Sequence, residues 1–163
     1  MNTAKKKEPE SEKKVVASHR KARRFYEILD VYEAGLSLTG PEVKSLRAGR
    51  ASLDGCFGRQ DKGELFLFNF YIPPYAHTRA EEAPESRRSR KLLLHGREIE
   101  KISQKLQVRG LTLVPLEVYF RRGWAKVSLA LARGKTGPDR REDLKKKAVA
   151  REAEKSFKGK YRG

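Results

Sequence analysis

Two clusters of cations carry most of the chemistry this sequence offers. The run "SHRKARR" brings together His19, Arg20, Lys21, Arg23 and Arg24, and "RRSRK" at 87–91 supplies Arg90 and Lys91. Guanidinium groups present forked donors that match phosphate oxygens in pairs, so a polyanion is the natural ligand. Catalytic chemistry is thinner. His19, His77 and His95 stand apart with no ligand spacing such as HxxxH, and no GxSxG, Walker or dinucleotide glycine pattern occurs. Glu81 and Glu82 fall in a mixed-charge run that reads as solvated. Cys56 is the only cysteine, which excludes an internal disulfide and a thiolate metal cluster and leaves a small packed side chain. No enzyme, metal or cofactor is expected.

Charge points the same way. The chain of 163 residues has a net charge of +17, and by segment residues 1–24 carry +6, residues 25–133 carry +5 and residues 134–163 carry +6. A basic middle with two charged arms suits RNA or DNA, whose phosphates release counterions when Lys and Arg neutralise them. Membrane surfaces are polyanions too. However, no apolar run approaches the ~18 to 20 residues of a spanning helix, and "MNTAKKKEPESEKK" lacks the apolar core of a secretion signal. A soluble, intracellular (cytoplasmic) protein that does not bind membranes is expected.

The elements that must position these residues are mostly strands. Residues 1–14 contain almost nothing apolar and cannot offset their ordering entropy, so residues 1–18 are read as a disordered basic arm. "FYEILDVYEAGLSL", 25–38, alternates as a long strand, bent or bulged near Gly35. In "TGPEVKSLRAG", Thr39 and Glu42 have capping-box spacing, Pro41 suits a first turn and Gly49 a left-handed stop. This predicts a short helix with Val43 and Leu46 facing the core. "ASLDGCFGRQDKGELFLFNFYIPPY" reads as two strands around "QDKG", ended by Pro73 and Pro74. Residues 76–91 form a polar loop. "RKLLLHGREIEKISQKLQVRG" reads as helical, divided at Gly96 and stopped at Gly110. A strand hairpin turning at Arg122-Gly123 follows.

Short strands with interposed helices predict a mainly β domain with α: an OB-fold-like closed β-barrel over 19–133, with short helices added and a basic C-terminal tail over 134–163. In the tail, Asp139 and Glu142 have N-cap and N3 spacing, and Glu142/Lys146 and Asp143/Lys147 are favourable i,i+4 pairs. Its apolar stripe of Val149, Ala153 and Phe157 is thin. The tail is therefore expected to be disordered alone and helical on a charged partner. Among aromatics that could stack on bases, Tyr26, Tyr32, Phe68, Tyr71 and Trp124 are candidates, with one or two expected at the surface. On these grounds a nucleic-acid-binding factor leads, a structural ribosomal protein is the alternative, and a ribonuclease is disfavoured by its scattered histidines.

Three ordered blocks narrow the choice. "YEAGLSLTGPEVKSLRAGRASL", "RSRKLLLH" and "AKVSLALARGK" closely resemble the SmpB family of SsrA-binding proteins, collinearly from about His19 to Lys135. The resemblance implies an OB-fold factor of trans-translation that binds the tRNA-like domain of transfer-messenger RNA. It delivers that RNA to stalled ribosomes, contacting the small subunit, so that incomplete peptides are tagged for degradation. It further implies RNA contacts from Glu33 of the EAG motif and from Leu92, Leu93 and Leu94, with Lys44, Arg47, Arg90 and Lys91 in the matched blocks. A monomer is expected when free. The family commonly has asparagine at the position of His19 and histidine at that of Arg24. Its tail pattern corresponds to Gly134, Lys135 and Thr136, then Asp139, Arg140 and Arg141. With Lys145, Lys146 and Lys147, these form the expected ribosome-binding tail, which lacks the family's frequent tryptophan.

Overall fold

Two long alternating segments make the frame. In the computed structural model, which describes residues 13–135 and, in the tail, 145, 148, 149 and 151, these are β6 (Leu111–Arg121) and β7 (Trp124–Gly134), paired along their length. Arg122 and Gly123 turn between them with φ of 50° and 80°. A two-residue turn with both residues left-handed matches the twist of the strands it joins. Lys62 and Gly63, at 50° and 79°, repeat that geometry between β3 (Phe57–Asp61) and β4 (Glu64–Phe68).

The other elements are β1 (Lys13–Ser18), α1 (Ala22–Phe25), β2 (Tyr26–Leu36), α2 (Gly40–Arg47), β5 (Arg90–Leu93) and α3 (Gly96–Leu106). Hydrogen-bonded neighbours run β6-β3-β4-β5-β2-β7 and return to β6, closing a ring of strands, and β1 pairs in the same sheet with the C-terminal half of β6. Closure removes the open edges at which sheets aggregate. Leu46, Leu65, Leu67, Leu92, Val127 and Leu129 fill the interior. The expected class, mainly β with short helices, is the observed one.

α2 begins as its sequence predicts. The Thr39 side chain accepts from the Glu42 backbone N–H while the Glu42 carboxylate accepts from the Thr39 N–H at 3.0 Å. Pro41 sits in the first turn and Gly49 follows the helix at φ 76°. Leu46 is buried and Val43 packs at the core margin.

Three expectations are corrected. Residues 13–18 do not belong to a disordered arm: the β-branched Val15 and Val16 lead a strand that pairs with β6, Val15 opposite Tyr119. Residues 90–93 are a strand rather than the start of a helix. Three consecutive leucines fit either periodicity, and this segment supplies the link between β4 and β2 that closes the ring. Gly35 is not a bulge. The register of β2 shifts between Ile28 and Asp30 instead, and Gly35 serves a close approach described below.

Candidate RNA-binding surface

The outward face of β2 carries Val31, Glu33 and Gly35, because side chains alternate across a strand. Gly35 pairs with Leu93 on β5 and Lys126 on β7, Lys126 with Tyr119 on β6, and Tyr119 with Val15 on β1. One row of neighbours thus crosses five strands. The adjacent row runs from Glu33 through Ser128 to Glu117. Leu93, Val15, Val31 and Trp124 are exposed on this face.

Glu33 lies at the centre, 40% exposed. Its Oε2 accepts from the Tyr119 hydroxyl and from Arg121 Nη1 at 2.7 Å. Among the described residues, Oε1 takes no hydrogen bond, so an oriented acceptor faces solvent on a basic protein. Burial, then the hydrogen bond to Glu33 and its negative charge, push the Tyr119 hydroxyl well above the usual phenol range. It stays protonated and holds the carboxylate in place. Beside Glu33 is a cleft of about 390 Å³ lined by Gly35, Leu93, Leu94, His95, Glu98 and Lys126. The two motifs expected to contact RNA, EAG and KLLL, meet here, with Leu93 half exposed, Leu94 half-buried and Leu92 in the core.

The α1 cluster borders the same face. His19 is half-buried, with its backbone N–H donating to Leu116 O at 2.8 Å and Nδ1 3.3 Å from Pro115 O. His19, Arg20 and Arg23 share a depression of about 370 Å³ with Val31 and Ser128. Lys21 and Arg24 are exposed nearby on the chain. Arg47 lies over the Phe120 ring at 4.6 Å. Lys44 is exposed 5.7 Å from the Tyr75 ring centre, and Lys91 pairs with Glu64 at 2.9 Å. These two cations are not gathered around Glu33.

Arg90 corrects the phosphate-contact expectation. It is fully buried, donating from Nε to Glu42 Oε2 at 2.6 Å and from its Nη atoms to the carbonyls of Phe70, Arg88 and Ser86. Its donors are committed to the interior, and no surface remains for RNA. Arg88 closes the same carboxylate from the other side. Burial opposes ionisation of Glu42, yet hydrogen bonds from Arg88 and Thr39 and the charge of Arg90 outweigh it and hold the carboxyl below its usual range. Burial likewise pushes the Cys56 thiol up to about 12, so this cysteine is an inert packed group.

In the tail, Lys135 is tied to α1, its backbone N–H donating to Phe25 O at 2.8 Å and its Nζ to Arg23 O at 3.0 Å. Lys145 is helical and exposed. Asp139, Arg140, Arg141, Lys146 and Lys147 lie outside the described residues. Sequence reasoning missed Tyr119, Arg121 and Lys126, whose roles depend on strand register. It did name Trp124, which is exposed beside the β6–β7 turn. No group of three or more His, Cys, Asp or Glu that could hold a metal occurs among the described residues. No helix among them is long and apolar enough to cross a membrane.

The chain matches known proteins over most of its length. The family model described as SmpB protein matches residues 16–159. An SsrA-binding protein of Salinispora arenicola is 54% identical over 144 residues, covering 88% of this chain and 89% of that protein. One from a Sulfurihydrogenibium species is 51% identical over 149 residues, covering 91% and 97%. A chain in a solved structure described as "tmRNA-SmpB: a journey to the center of the bacterial ribosome" superposes with a TM-score of 0.64 at 49% identity, covering 78% of this chain and 92% of that one.

Proposed function

We propose, from the premise that this chain belongs to the SmpB family, that it binds the tRNA-like domain of transfer-messenger RNA and delivers it to stalled ribosomes. There the RNA's own reading frame resumes translation and the incomplete peptide is tagged for degradation. The protein acts in the cytoplasm as a binding factor, with no catalytic step of its own. The observation that carries this reading is the conjunction of Glu33, Leu93 and Lys126 around one cleft, within the segment matched by the family model.

Each part has a distinct task. Arg20 and Arg23 supply phosphate neutralisation, which gives affinity and depends on salt. Glu33 accepts through Oε1 from a base amino group or a 2′-hydroxyl, which distinguishes one RNA surface from another. Leu93 packs on exposed ribose or an unstacked base. The tail, beginning where Lys135 is fastened to α1, engages ribosomal RNA after delivery.

Sequencing the RNA that co-purifies with the full chain tests the reading. Transfer-messenger RNA should dominate and the protein should leave ribosomes in a high-salt wash. Ribosomal RNA alone, retained through that wash, would mark a structural ribosomal protein and overturn it.

A further inference from the structure

Tyr119 and Glu33 meet across an intervening strand. Glu33 lies on β2 and Tyr119 on β6, with β7 between them, so their side chains bridge two strand spacings, about 10 Å. No backbone ladder supports that bridge. Tyr119 is buried, and its hydroxyl donates to the exposed Glu33 carboxylate. A recognition group held at such a distance stays in place only if the side chain that holds it is itself locked. Lys13, at the start of β1, supplies the lock. Its backbone is placed by pairing with Arg121, its ammonium lies 4.5 Å from the centre of the Tyr119 ring, and the same ammonium is ion-paired with Glu117 on β6. Arg121 lies over that ring as well, at 5.3 Å. The Lys13 and Glu117 side chains are only 26% and 27% exposed, so salt screens their attraction less than it screens a pair in open water.

A lysine on a basic protein ordinarily counts as a phosphate ligand. The charge of Lys13 is already committed, to the Glu117 carboxylate and to the face of an aromatic ring, which attracts cations. The side chain makes a strap that starts on β1, crosses the Tyr119 ring and ends on β6. Among the described residues β1 pairs with β6 alone, so the strap is also what ties this outer strand to the Glu33 surface. We infer that Lys13 is a positioning residue for RNA recognition, acting through Tyr119 on the Glu33 carboxylate and not on phosphate. The inference rests on the RNA-binding reading and gives β1 a part in it. It also assigns Glu117 a role opposite to the one its charge suggests: an acid near bound phosphate should repel, whereas an acid that anchors the strap should help.

Transfer-messenger RNA binding by full-chain variants across a salt series tests it, with melting curves to establish that each variant is folded. Lys13→Met keeps most of the aliphatic stem and removes the ammonium. It should weaken binding about fivefold, with the slope of log affinity against log salt unchanged. Lys13→Arg, which keeps a cation over the ring, should restore most of the loss. Glu117→Gln should weaken binding too, although it removes a negative charge. In a Glu33→Ala background, Lys13→Met should cost nothing further, because coupled residues act as one. The Cζ chemical shift of Tyr119, which reports the hydrogen bond of its hydroxyl, should move in Lys13→Met and return in Lys13→Arg. A slope reduced by about one, with the loss persisting in the Glu33→Ala background, would make Lys13 a phosphate ligand and overturn the inference. Tighter binding by Glu117→Gln, or parent-like binding by Lys13→Met, would overturn it as well. These outcomes refute the strap alone; parent protein that binds no transfer-messenger RNA refutes the functional reading beneath it.

Discussion

Gly35 and Leu93 face each other across β2 and β5 so closely that a Cβ at position 35 would lie 3.2 Å from the Cβ of Leu93. Such spacing is tighter than ordinary side-chain contact. The glycine of the EAG motif therefore acts through the leucine of the KLLL motif: it leaves room for Leu93 to lie flat against β2, next to Glu33. Two segments far apart in the chain make one surface because one of them lacks a side chain.

The consecutive leucines should separate by role. Leu92 is buried in the ring, so Leu92→Ala should cost about 2 to 5 kcal/mol of stability, seen as a lower Tm. Leu93 is half exposed, and Leu93→Ala should leave Tm nearly unchanged while weakening RNA binding. Gly35→Ala should also weaken binding, by displacing Leu93. Equal destabilisation by the two leucine variants with RNA affinity intact would mean that Leu93 serves the core only.

Glu42 should make stability depend on acid. Its carboxyl is held below the usual range in the fold, so its contribution is present above the unfolded-state value and is lost as pH falls through the folded one. Glu42→Gln should flatten that acid limb in thermal melts. At neutral pH it should cost on the order of 3 to 5 kcal/mol, because Arg90 is left buried without its counter-charge. Arg90→Ala should likewise lower Tm. In the folded fraction it should leave the salt slope of RNA binding unchanged, unlike a variant of a phosphate ligand.

Removal of residues 136–163 tests the division between body and tail. Because Lys135 is fastened to α1, cutting after it preserves β7 and the His19 cluster. The shortened protein should bind transfer-messenger RNA nearly as well as the parent and fail to support peptide tagging. Normal tagging would remove the tail from the account.

Local signals were legible in the sequence and long-range ones were not. Thr39 and Glu42 announced α2, and "QDKG" and Arg122-Gly123 marked both hairpins, since each depends on neighbours within a few residues. Arg90 read as one more cation in "RRSRK" because its counter-charge, Glu42, lies 48 positions away. The Tyr119 hydroxyl that orients Glu33 is 86 positions from it, a distance no periodicity spans. The leucine run could not declare itself strand or helix, since three apolar residues in a row suit both; only the gap between β4 and β2 decides. Glu33 itself was singled out by family resemblance alone, as an isolated acid on a basic strand resembles any surface residue.

The most direct test of the central claim compares Glu33 with the α1 cations in transfer-messenger RNA binding across a salt series. Arg20→Ala or Arg23→Ala should lower affinity at low salt and reduce the slope of log affinity against log salt by about one each. Glu33→Ala should lose about 1 to 3 kcal/mol with the slope unchanged, and its melting curve should confirm that it remains folded. A folded Glu33→Ala protein that binds this RNA as tightly as the parent at every salt concentration would contradict the account.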